Sequence, residues 1–108
     1  MKKIASLFIA TTLFSVPSYA EVAIYELSIK DHKFSQEKLE IPAGQKVKLL
    51  VKNLDTTPAE FESIDLNREK IISGNSSAVI FIGPLEIGEY VFFDEFNPKT
   101  ATGKLVVK

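Results

Sequence analysis

The chain has 108 residues, with 13 Lys and Arg against 14 Asp and Glu, a formal charge of −1 at pH 7, and no cysteine. The absence of thiols excludes zinc-finger, thiol-redox, cysteine-nucleophile and blue-copper chemistry. Lysines interspersed with carboxylates form no basic patch, which argues against nucleic acid as a partner.

Met1-Lys2-Lys3 leads into an apolar run from Ile4 to Val16 and then Ser18-Tyr19-Ala20, which sets small residues at the two positions a signal peptidase inspects. The pattern predicts a secretory signal over 1–20, cleaved after Ala20, with the periplasm as destination. The apolar run is too short for a spanning helix, which needs about 20 residues. Taking 20 from 108 leaves 88 residues, room for one domain over 21–108. Cleavage also removes Lys2 and Lys3, so 11 basic residues face 14 acidic ones, a balance of −3. The remaining chain has no Met or Cys, so it offers a metal only oxygen ligands and the imidazole of His32, its single histidine. Its stability must come from an apolar core alone.

Val22 to Lys30 alternates, with Ala23, Tyr25, Leu27 and Ile29 on one face and Glu26, Ser28 and Lys30 on the other, which predicts a half-buried strand. Asp31 to Ser35 interrupts it, and Lys38-Leu39-Glu40-Ile41 is extended again up to the turn Pro42-Ala43-Gly44, whose glycine can take positive φ. Gln45 to Asn53 is the cleanest strand, with Val47, Leu49 and Val51 inward and Lys46, Lys48 and Lys52 outward. After the turn-rich Asn53 to Pro58, Ala59 to Ile64 reads as a strand with Phe61 opposite Glu60 and Glu62, followed by a polar connection from Asp65 to Lys70. Arg68-Glu69-Lys70 reads as surface ion pairing. Beyond the Gly74-Asn75 turn, Ser77 to Ile82 is apolar enough for a strand buried on both faces. Gly83 to Gly88 turns into the aromatic strand Tyr90 to Phe93, and Gly103 launches a last strand, Lys104 to Val107. Phe61, Phe81, Phe92, Phe93 and Tyr90 are expected in the core. Seven to eight short strands with Gly, Pro and Asn turns describe an all-β antiparallel sandwich with Greek-key connections.

Three groups of residues could carry chemistry. His32 lies in a loop beside Asp31, which could orient its imidazole or share a cation; an exposed loop histidine without a role fits the same pattern. Glu60 and Glu62, two apart on a strand, share a face and could pinch a hard cation, although the alternation equally describes a solvated surface. Asp94 and Glu95 leave the aromatic strand as a pair of like charges, to be neutralised by a cation or to serve as a charged edge against aggregation.

Gly88-Glu89-Tyr90-Val91-Phe92-Phe93-Asp94 followed by Gly103-Lys104-Leu105-Val106-Val107 resembles the C-terminal end of cupredoxins, a Gly-x-Tyr-x-Phe-x-Cys strand, a nearby histidine and a closing Gly-x-Leu-x-Val strand. Leu39 to Val47 and Val51-Lys52-Asn53 resemble that family's strand, Pro-Ala-Gly turn and Lys-Asn ending. Asp31-His32-x-Phe34, Pro58-x-Glu60-Phe61-Glu62-Ser63, Leu66-x-Arg68-Glu69-Lys70, Gly83-Pro84-Leu85 and Phe92-Phe93-Asp94-Glu95-Phe96 are together similar to small periplasmic cupredoxin-like proteins that accompany iron-permease systems. The resemblance implies a cupredoxin-like sandwich binding copper or iron, with an inner-membrane iron permease or an associated periplasmic protein as partner and no enzymatic activity. It implies metal ligands at His32, Glu60, Glu62, Asp94 and Glu95, converging at one end of the sandwich. The other reading of the same sequence is an adaptor sandwich that docks on a permease or lipoprotein without metal. Asp94 stands where the family's copper-binding cysteine would be, and Asn97 about where its histidine would be.

Intense blue colour requires charge transfer from a cysteine thiolate to copper. Cu(II) added to the purified protein should therefore give no strong absorption near ~600 nm, the region expected for thiolate-bound copper, and a visible spectrum checks this.

Overall fold

Extended backbone sends successive side chains to opposite faces, so apolar residues at every second position can bury one face of a strand and leave the other in water. A computed structural model describes residues 21–108, with nine strands among them. They are β1 (Ile24–Lys30), β2 (Lys33–Phe34), β3 (Lys38–Ile41), β4 (Val47–Asn53), β5 (Ala59–Ser63), β6 (Arg68–Ile72), β7 (Ser76–Ile82), β8 (Gly88–Asp94) and β9 (Thr102–Val107). One sheet has the order β2-β1-β4-β7 and the other β3-β9-β8-β5-β6. The all-β sandwich expected from the sequence is therefore the observed fold, with nine strands among the described residues in place of seven to eight and two parallel pairs in place of a wholly antiparallel arrangement. The signal expected over 1–20 lies outside the described residues.

Two neighbour pairs, β1 with β4 and β3 with β9, run parallel and cannot be joined by tight turns. The chain accordingly alternates between sheets: β1 and β2 in the first, β3 in the second, β4 back, β5 and β6 across, β7 back, β8 and β9 across. Leu27, Ile29, Val47, Leu49, Val51, Phe61, Phe92, Leu105 and Val107 point between the layers, each 1% exposed or less. Full burial of such a side chain stabilises by roughly 1.5–3 kcal/mol over leaving it in water.

Phe92 is the centre of this core. Its ring meets Phe34 edge-on at 4.9 Å between centroids and stacks on Phe61 at 5.4 Å, tying β2 of one sheet to β8 and β5 of the other. Gly103, paired with Phe92 across β8 and β9, makes room for that ring: a Cβ there would lie 2.7 Å from it. The Pro42-Ala43-Gly44 turn behaves as expected, with Gly44 at φ 71° and its N–H donating to the Leu85 carbonyl at 2.9 Å.

Four expectations change. The segment 77–82 is not buried on both faces: β7 is the edge strand of its sheet, and Val79 and Phe81 stay half exposed on its outer side. The Phe81 ring, expected in the core, instead lies under the ammonium groups of Lys46 and Lys48, 5.1 and 5.5 Å from its centroid; Phe93 also sits on an outer face, half buried. The connection 65–70 contributes a strand, β6, whose only buried residue is Ile72, so it carried no readable period. Arg68 makes no ion pair among the described residues. Its guanidinium donates to the Phe81, Asn67 and Leu66 carbonyls at 3.1, 3.1 and 3.4 Å, bridging β6 to the free edge of β7.

Gly103→Ala should crowd Phe92 and destabilise the protein by about 1–3 kcal/mol, the usual range for overpacking. Urea unfolding should show a lower midpoint, partly recovered when Phe92→Leu is added.

Candidate metal centre

Because Ala59, Phe61 and Ser63 face inward and are buried, Glu60 and Glu62 stand on the outer face of the second sheet. β6 lies alongside with Glu69 opposite Glu62 and Ile71 opposite Glu60. One carboxylate oxygen each from Glu60, Glu62 and Glu69 lie within 4.8 Å of one another. Glu95 joins from the other side, its N–H donating to the Glu60 carbonyl at 2.9 Å. Glu60 is 6% exposed, Glu62 is half buried, and Glu69 and Glu95 are exposed.

No basic side chain among the described residues pairs with these four carboxylates; the ion pairs present are Lys52 with Glu26, Lys104 with Glu89, Lys108 with Glu40, and His32 with Asp55. The crowding of negative charge raises two of the four, Glu60 and Glu62, above the usual carboxylate range. A hydrogen bond shared with Glu69, then loss of water, then the charges of Glu69, Glu62 and Glu95 push Glu60 up to about 7. Glu62 is raised by a hydrogen bond shared with Glu95, then by loss of water and the charges of Glu95 and Glu69. Such a group can hold a proton or a cation, because each relieves the same crowding of negative charge.

Asp94 is not part of it. Its register partner is Phe61, so both face inward, and the sheet separates its carboxylate from that of Glu60. Asp94 is fully buried; its Oδ1 accepts from Glu60 N–H at 2.9 Å and Phe96 N–H at 3.0 Å, and its Oδ2 from Asn97 Nδ2 at 3.3 Å. The expected convergence of Asp94 with Glu60 thus fails, because one strand position separates them and alternation reverses the face. A copper ion held as the cupredoxin resemblance implies does not fit these residues. Position 94 has no sulfur, its carboxylate is already taken up by three donors, and the side chain at 97 is an amide bonded to it.

His32 is also outside the carboxylate group. Asp31 and His32, at φ 52° and 55°, form the two-residue turn between β1 and β2. Asp55, rather than Asp31, sets the histidine: its Oδ1 accepts from Asp31 N–H at 2.7 Å, its Oδ2 from His32 N–H at 3.0 Å, and His32 Nδ1 lies 3.6 Å from Oδ2. The His32 amide, followed by those of Asp31 and the nearby positive charges, holds the Asp55 carboxyl below the usual carboxylate range despite an opposing loss of water. Buried Asn53 fixes this loop, its Oδ1 accepting from Asp55 N–H and its Nδ2 donating to the Thr57, Ile72 and Ser73 carbonyls. The structure therefore keeps Glu60, Glu62 and Glu95 together, adds Glu69, and sets His32 and Asp94 apart. Glu69 could have been found had β6 been read as a strand, since a hairpin partner of Glu62 brings its own side chain to the same face.

Residues 3–107 match the family described as the Cupredoxin-like domain. Protein RP394 of Rickettsia prowazekii (strain Madrid E) is 43% identical over 82 residues, which cover 76% of this chain and 66% of that protein, so the chain spans just under two thirds of that relative's length. Among solved structures, auracyanin A, a "blue" copper protein from Chloroflexus aurantiacus, superposes with a TM-score of 0.69 at 15% identity, over 82% of this chain and 100% of that one. The solution structure of a copper binding protein in its apo form gives 0.68 at 15% identity, over 79% and 86%. At such identities these two carry the fold alone, and it is the match along nearly the whole sequence that places the chain in the cupredoxin-like family.

Proposed function

We propose that this cupredoxin-like protein binds copper or iron on the outer face of β5 and β6, through Glu60, Glu62 and Glu69 with Glu95 beside them, as a non-enzymatic periplasmic accessory of an iron-uptake system. The observation that carries the reading is Glu60: a carboxylate 6% exposed, facing two other carboxylates, with no basic partner among the described residues. Three or four carboxylate oxygens form a hard donor set, which suits Fe(III), and Cu(II) better than Cu(I). The iron-uptake role and a permease partner are supported by the five short motifs set out above, and the periplasm by the leader pattern over 1–20.

A second reading, docking on a membrane protein without a cation, is favoured by the outer face of the first sheet. There Phe81, Lys48 and Ile24 form one cross-strand row and Val79, Leu50 and Glu26 the next, exposed apolar side chains interleaved with charged ones.

Calorimetric titration with Cu(II) and Fe(III) separates the two. Glu60→Gln, which keeps the shape and removes the charge, should weaken binding by more than about 10-fold, scaled from the 10- to 100-fold typical of losing a group that merely supports a ligand. If neither metal binds below millimolar concentration, the docking reading replaces this one. Affinity should rise with pH through about 7, because Glu60 must release its proton to bind a cation.

The apo protein should show the matching stability trend. The folded state holds the Glu60 proton more tightly than the unfolded chain does, so stability should fall as pH rises from about 4.5 to about 7. Urea midpoints measured across that range should decline in the parent and decline less in Glu60→Gln.

A further inference from the structure

The loop between β8 and β9 is bound to the rest of the sandwich at closely spaced points. Asp94 N–H donates to the Ala101 carbonyl at 3.0 Å, closing the loop on itself, and the Asn97 carbonyl accepts from Ala101 N–H at 2.9 Å. The Asp94 carboxylate reaches out of the loop to the Glu60 amide of β5 and back into it to the amide of Phe96 and the side chain of Asn97. Positions 94 and 97, which the cupredoxin resemblance assigns to metal ligands, are here bonded directly to each other. A fully buried carboxylate tolerates loss of water only when donors replace it, and three do so here. A cation at this place would have to take those lone pairs and leave the buried Glu60 amide without an acceptor.

We infer that the Asp94 carboxylate, together with Asn97, stands in for the metal ion of this fold: it cross-links β5 to the β8–β9 loop directly, so this end of the sandwich is formed without a cation and does not accept one. The same bond makes Asp94 a positioning residue for Glu60. Asp94 holds the Glu60 amide from within the sheet, and the Glu95 amide holds the Glu60 carbonyl. The cross-link itself does not depend on whether a cation binds on the outer face.

Amide hydrogen exchange in chelator-stripped protein tests the cross-link. The Glu60 and Phe96 amides should be protected in the metal-free parent. In Asp94→Ala they should exchange on the order of 10- to 100-fold faster, the factor corresponding to a lost hydrogen bond to a charged group, while the Leu49 amide in β4 keeps its rate. Asp94→Asn, which retains one acceptor oxygen and serves if the alanine variant does not fold, should restore most of the protection. Exchange of Glu60 and Phe96 at free-chain rates until Zn(II) is added, as a diamagnetic probe, would overturn the inference. So would a loss of Cu(II) or Fe(III) affinity in Asp94→Asn as large as that in Glu60→Gln. If the parent binds neither metal, the outer-face proposal fails while the exchange measurement still decides this one.

Discussion

The pairing of Phe61 with Asp94 across β5 and β8 is the constraint from which the two ends of this protein's chemistry follow. It sends Phe61 into the stack with Phe92 and sends the Asp94 carboxylate inward beside it, where only backbone and amide donors are available to satisfy it. By the same alternation it turns Glu60 and Glu62 outward, where β6 supplies Glu69. A slip of one residue would exchange the two sets, burying glutamates in the core and exposing the phenylalanine. The core and the acidic outer surface are therefore fixed by one register, and neither can be altered without the other.

Charge is distributed with the same asymmetry. The β5–β6 end of the second sheet's outer face gathers Glu60, Glu62 and Glu69 with no basic partner among the described residues, whereas the outer face of the first carries Lys46, Lys48 and Lys52 around exposed Val79 and Phe81. Lys52 is matched by Glu26 across the β1–β4 pair, but Lys46 and Lys48 rest on an aromatic ring instead. A net charge near zero thus conceals two faces of opposite sign on either side of an apolar core.

Strands that bury one full face were legible in the sequence. β1 and β4 announce themselves by period two, and their inward residues are the ones found in the core. β6 was not legible, because its place comes from hydrogen bonding to β5 and only Ile72 needs burial. Missing β6 meant missing Glu69, and with it the partner that crowds Glu60. The misplacement of Asp94 has a different origin: position at a strand end says which end of the sandwich a side chain occupies, but only the register with a partner strand says which face. Nor could local sequence reveal that Asp55, 23 residues beyond His32, holds that turn. The acidic pair Glu60 and Glu62 was found because its spacing alone sets both side chains on one face.

The strand order of the second sheet bears on how the protein acquires its structure. β9, last of the nine strands among the described residues, lies between β3 and β8, and residues 102–107 contact partners as distant in sequence as 38–41. Half of the sandwich therefore has a gap in its middle until that segment has left the ribosome, and parallel pairing over such separations is slow because the intervening loop must be closed first. Until then the edges of β3 and β8 lack the partner that covers them in the finished sheet.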